Sequence, residues 1–130
     1  MLDESKKEEI RSFLRDFKEI ASKGRGIDVV LRRENFESLA QLGLTKKNRN
    51  EEIMTLSLAD YSKGPEPNTD RPGDVWVFGK QIESKDVYIK LKIVQEKDVK
   101  IAKCISFHPA KYPLDYPYKG KNTKKGGDDQ

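Results

Sequence analysis

The sequence predicts an α+β fold in which N-terminal helices pack on one face of a three-stranded, or slightly larger, antiparallel sheet. Three observations carry this. Apolar residues recur at three- and four-residue steps through the first 62 residues, then alternate in twos between Val75 and Phe107. The links between the alternating runs are hairpin length, which favours antiparallel pairing. Helical and strand signals are segregated along the chain rather than interleaved, which argues against a parallel α/β sheet.

Ile10, Phe13, Leu14, Phe17, Ile20 and Ala21 form the apolar stripe of a first helix, ended by Gly24 and Gly26. Acidic residues near its start suit the helix dipole. Ile27 to Leu31 is a short β-branched run, either a strand or an extended connector. Asn35 to Leu42 reads as a second helix with Phe36, Leu39 and Leu42 inward and Gly43 as its C-cap. Thr45 can cap a third helix whose inner face is Ile53, Met54 and Leu56. Ser57 and Asp60 have capping-box spacing and can start one more helical turn. Lys63 to Gly73, with three Pro and two Gly, reads as a loop. Strand signals follow at Val75 to Ile82, Val87 to Val94 and Val99 to Phe107, where Lys103 alone breaks the alternation. The expected organisation is one domain over 1–119, with a helical half (1–62), a sheet half (63–109) and a Pro/Tyr segment (110–119). Residues 120–130 are rich in Lys and Gly and read as a disordered tail.

The 130 residues are 35% apolar and 37% charged, which fits one domain with a modest core. No apolar run approaches the length of a membrane span. Met1 to Glu9 is charged and lacks the apolar stretch of a signal peptide. Cys104 is the only cysteine, so no internal disulfide forms, and a reducing, cytoplasmic compartment is expected. One Cys and one His supply too few ligands for a zinc site. No metal and no cofactor are expected.

The net charge is +4 and lies wholly in the second half: residues 1–62 carry 12 basic and 12 acidic residues, residues 63–130 carry 14 and 10. A localised basic surface is the footprint of a polyanion binder, although a lysine-rich solubility face has the same composition. Strand alternation sharpens the picture. Val87, Ile89, Leu91 and Ile93 point to the helices, which puts Tyr88, Lys90 and Lys92 on the open face. With regular pairing, Ala102, Cys104, Ser106 and His108 share that face, and Ile101, Ile105 and Phe107 fill the core. A phenol and ammonium groups in a row suit a phosphate backbone; the row equally fits a solvated sheet face. Trp76 and Phe78 share a face opposite Val75 and Val77, so one pair is expected to be less buried; an aromatic there could stack on a base, while core packing is the expected role of at least one of the two. His108, the only histidine, brings a group able to move protons near neutrality.

Leu56-Ser57-Leu58-Ala59-Asp60-Tyr61-Ser62-Lys63, Asp86-Val87-Tyr88-Ile89-Lys90 and Ile105-Ser106-Phe107-His108, in this order, resemble the motility quorum-sensing regulator (MqsR-type) toxins of type II toxin–antitoxin systems. The resemblance covers roughly residues 26–108 and implies a RelE-like fold. It implies a metal-independent endoribonuclease that cuts mRNA and is held inactive by a cognate antitoxin protein. Lys63 and Tyr88 occupy places that belong to the family's functional set. At the place of His108 the family commonly has a lysine, while related RelE-like toxins can use a histidine near the C-terminus. The family's glutamine on the first sheet strand has no clear counterpart, the nearest positions being Gly73 and Asp74.

The resulting expectation gives Lys63, Tyr88 and His108 catalytic roles and Arg71, Trp76, Lys80, Lys90 and Lys92 RNA-binding roles, with RNA and an antitoxin as partners. A non-catalytic RNA- or DNA-binding regulatory module is the alternative. It uses the same basic face but leaves His108 and Lys63 incidental.

Overall fold

The computed structural model describes residues 2–24, 26–68 and 73–119. Arg71 and the tail expected over 120–130 lie outside the described residues. The fold is α+β: α1 (Leu2–Lys23), β1 (Ile27–Val29), α2 (Arg33–Leu42), α3 (Lys46–Met54), a 3-10 turn (Leu58–Asp60), then β2 (Tyr61–Pro67), β3 (Asp74–Ile82), β4 (Lys85–Glu96) and β5 (Val99–Pro109). The strands form one sheet in the order β1-β5-β4-β3-β2.

The apolar stripe of α1 is the core face that its period predicts, with Ile10, Phe13, Leu14, Phe17 and Ala21 buried. It packs on the inner face of the sheet, where Phe13 stacks on Trp76 at 4.8 Å and meets Phe78 at 6.2 Å. Val87, Ile89, Leu91 and Phe107 complete that layer at zero exposure. The expected caps are present. Gly43 ends α2 in the left-handed region, and Thr45 and Asn48 close a capping box at the start of α3. Ser57 and Asp60 cap the 3-10 turn.

Four expectations need correction. First, the sheet has five strands and is mixed, because β1 pairs parallel to β5. Second, part of the expected loop from Lys63 to Gly73 is strand β2. It is an edge strand with two register shifts, where prolines cost least. Gly64 is required there: a side chain would meet the Val75 carbonyl oxygen at 2.8 Å. Third, β5 does not pair regularly. Lys90 faces Ser106 but Leu91 faces Cys104, so Ile105 is an extra residue in a bulge. The bulge switches faces. Ala102 and Cys104 join the core at zero exposure, while Ser106 and His108 face outward with Tyr88.

Fourth, Phe36 does not point inward; it is 75% exposed, and the inner face of α2 is Asn35, Ser38 and Leu42. The reason lies in the edge of β5. β1 covers that edge only as far as Cys104. Beyond it, Asn35 Nδ2 donates to the Ile105 and Val30 carbonyls, Phe107 N–H donates to Asn35 Oδ1, and Ser38 Oγ donates to the Phe107 carbonyl. Two polar side chains on α2 thus replace a missing strand. Asn35→Ala is expected to lower stability by roughly 2–3 kcal/mol, because it strands one buried and two part-buried backbone groups. A urea unfolding midpoint close to that of the wild type would contradict this.

The segment after β5 turns back over the outer face. Ala110 N–H donates to the Asp86 carbonyl, and Leu114 and the Tyr116 hydroxyl lie over Gly79, where a Cβ would sit 2.5 Å from each. Tyr118 then packs 5.9 Å from Tyr61. Gly79 leaves the room this strap needs.

Candidate active site

β4 and β5 present Tyr88 and His108 as direct cross-strand partners on the outer face. Their rings stack with centroids 5.4 Å apart and an interplanar angle of 23°. Neighbouring Lys90 holds its ammonium 5.8 Å from the centroid of the Tyr88 ring. Lys63, on β2, is exposed and 3.8 Å from Glu66. Burial raises the Tyr88 phenol above its ordinary range, with Lys63 pulling it down and Glu66 pushing it up. Tyr88 is therefore a neutral hydroxyl near pH 7, able to donate a hydrogen bond but not to serve as a phenolate base.

The His108 side chain is 13% exposed, with a polar neighbour facing each nitrogen. Nδ1 lies 2.9 Å from the Pro109 carbonyl oxygen, to which it donates when it carries the proton. Nε2 faces Glu34 Oε1 at 3.9 Å. Glu34 stands on the first turn of α2 and is also paired with Lys111. The hydrogen bond from Lys111, followed by the charge of His108, holds the Glu34 carboxyl below its usual range.

The structure thus brings Tyr88, His108 and Lys90 together, with Lys63 close enough to bias the phenol. Two expected RNA contacts, Trp76 and Lys80, lie on the inner face, and a third, Lys92, is buried on the outer one. Trp76 is 7% exposed in the core against Phe13; Val75, Trp76, Val77 and Phe78 are all buried, so neither pair is left for an outside contact and both aromatics pack in the core. Both faces of β3 are covered there, so neither Trp76 nor Phe78 is free to stack on a base. Lys80 lies on the inner face opposite Val87 and ties β3 to the end of α3, with Nζ 3.0 Å from Glu52 Oε1 and hydrogen-bonded to Thr55 Oγ1. A cation at the carbonyl end of a helix is a stabilising arrangement. Lys92 does point outward, but it is 3% exposed and presents no open ammonium to a phosphate backbone.

Glu34 and Lys111 are site residues that sequence reasoning did not find. Glu34 reads only as a first-turn acid, and nothing in its spacing ties it to residue 108. Cys104 is fully buried and its thiol is pushed up to about 12, so it stays protonated. Among the described residues no group of three or more His, Cys, Asp or Glu is placed to hold a metal ion, and no helix is long and apolar enough to cross a membrane.

Comparison with protein-family models, curated proteins and solved structures finds no match to the chain.

Proposed function

We propose that the chain is a metal-independent endoribonuclease with a RelE-like arrangement, acting on mRNA in the cytoplasm as the toxin of a toxin–antitoxin pair. The observation that carries the reading is the stacked Tyr88–His108 pair with Lys90 against it. RNA brings its own nucleophile, the 2′-hydroxyl. The 2′-oxygen attacks phosphorus, the bond from phosphorus to the 5′-oxygen breaks, and a 2′,3′-cyclic phosphate remains. One proton must leave the 2′-hydroxyl and one must reach the departing 5′-oxygen.

His108 moves one of these protons through Nε2, with Glu34 steadying the protonated ring. Tyr88 donates to a non-bridging phosphate oxygen, and its raised pKa keeps that donor in place at neutral pH. Lys63 and Lys90 stabilise the charge of the phosphorane. The cognate antitoxin remains part of the proposal, on the resemblance alone.

A second reading, a non-catalytic RNA- or DNA-binding module, is favoured by the low exposure of His108 and by the carboxylates beside Lys63 and His108. The two readings separate on one substrate pair. An unmodified RNA is expected to be cut while the same sequence with 2′-O-methyl groups stays whole. If both RNAs stay intact but bind in a salt-dependent way, the module reading holds instead.

A further inference from the structure

On the flank of α2 away from Glu34 lies a second feature that the proposed chemistry does not use. β1, α2 and the start of α3 enclose a groove of about 790 Å³ with a mainly apolar lining. Leu31 and Phe36 line it at 99% and 75% exposure, and Leu39 stands beside them. Isolated exposed apolar residues are ordinary, but two of this size on one groove mark a contact surface. β1 is also an edge of the sheet, with one side unpaired by any strand among the described residues.

Arg49 reaches the same groove from α3 and is only 8% exposed. Its Nε donates to Asn50 Oδ1 at 3.1 Å, and it makes no ion pair among the described residues. Burial lowers its pKa, the direction expected of a cation without a countercharge. Arg32 and Lys46 add exposed positive charge at the rim. A recessed guanidinium set among apolar groups accepts a carboxylate on a short flexible side chain. A sugar–phosphate backbone would have to enter the groove as a chain.

We propose that this groove docks an extended acidic segment of a partner protein, with one large apolar side chain seated on Leu31 and Phe36 and a flanking carboxylate on Arg49. The edge of β1 offers main-chain pairing to such a segment. The proposal does not rest on the ribonuclease reading, because it uses none of the residues at Tyr88 and His108.

The test is a selection of random displayed dodecapeptides on the full chain, followed by affinity measurements with synthetic versions of the peptides recovered. Peptides with an aromatic or leucine anchor flanked by Asp or Glu are expected. Their affinity is expected to fall at least about tenfold on Phe36→Ser and on Arg32→Glu, both exposed changes that leave the core intact. Leu31→Ser is the companion variant, and circular dichroism confirms that each variant is folded. Four results overturn the proposal: a selection without binders, binders that are basic or uncharged, binders indifferent to Phe36→Ser, or a single-stranded RNA dodecamer whose binding is lost on that substitution. A wild-type dimer that Phe36→Ser converts to monomer also overturns it, since the groove then belongs to a second copy of the chain.

Discussion

His108→Ala is expected to lower the single-turnover rate of RNA cleavage by about 10²- to 10⁴-fold, the range usual for loss of a positioned proton-transfer group. RNA affinity should change little, because the ring is 13% exposed and lies between Tyr88 and Glu34 rather than on the surface. Glu34→Gln should lower the rate less, since Glu34 acts through the imidazole and not on the phosphate. Tyr88→Phe keeps the stack and removes only the hydroxyl, so its effect measures the hydrogen bond to phosphate. A His108→Ala variant that is folded and cuts RNA at the wild-type rate would contradict the assignment of roles.

Trp76→Ala is expected to cost about 3–5 kcal/mol of folding stability, the usual range for emptying a buried aromatic site. The indole is 7% exposed and lies parallel to Phe13 at 4.8 Å, with Tyr61 at 6.3 Å across its edge. A loss of this size is a large share of the stability of an ordinary domain. Thermal unfolding would show it as a much lower midpoint, and any loss of RNA binding should follow the loss of folded protein. Weaker RNA binding at unchanged stability would return Trp76 to the RNA-contact role that the sequence first indicated.

Those two residues also mark how far the sequence could be read. Features set by local rules were legible. The stripe of α1, the Gly43 and Thr45 caps and the alternation of β4 follow from helix and strand geometry within a few residues. Trp76 was not settled by alternation, because both faces of β3 turned out to be covered, the outer one near Gly79 by the strap carrying Leu114 and Tyr116. Lys80 looked like one more surface lysine, yet its partners Glu52 and Thr55 are distant in sequence.

The same limit applies to β2 and β5. Proline-rich composition masked β2, since an edge strand with register shifts tolerates residues that a central strand excludes. In β5 the interrupted alternation at Lys103 was visible, but the compensating bulge at Ile105 depends on pairing with β4. That bulge shapes the candidate site. Without it Cys104 and His108 would share a face; with it Cys104 is sealed in the core and His108 meets Tyr88. Asn35 and Ser38 belong to the same class. They look like ordinary polar residues of α2, and their role appears only when the edge of β5 lies beside them.

On the proposed chemistry this face cuts RNA by 2′-hydroxyl attack without a metal. The most direct measurement incubates the full chain with a defined RNA in a chelating buffer and maps the ends of the products by mass spectrometry. Cuts at defined positions are expected, each leaving a 2′,3′-cyclic phosphate and a 5′-hydroxyl. Intact RNA, or products with 5′-phosphate ends that vanish in chelator, would contradict it.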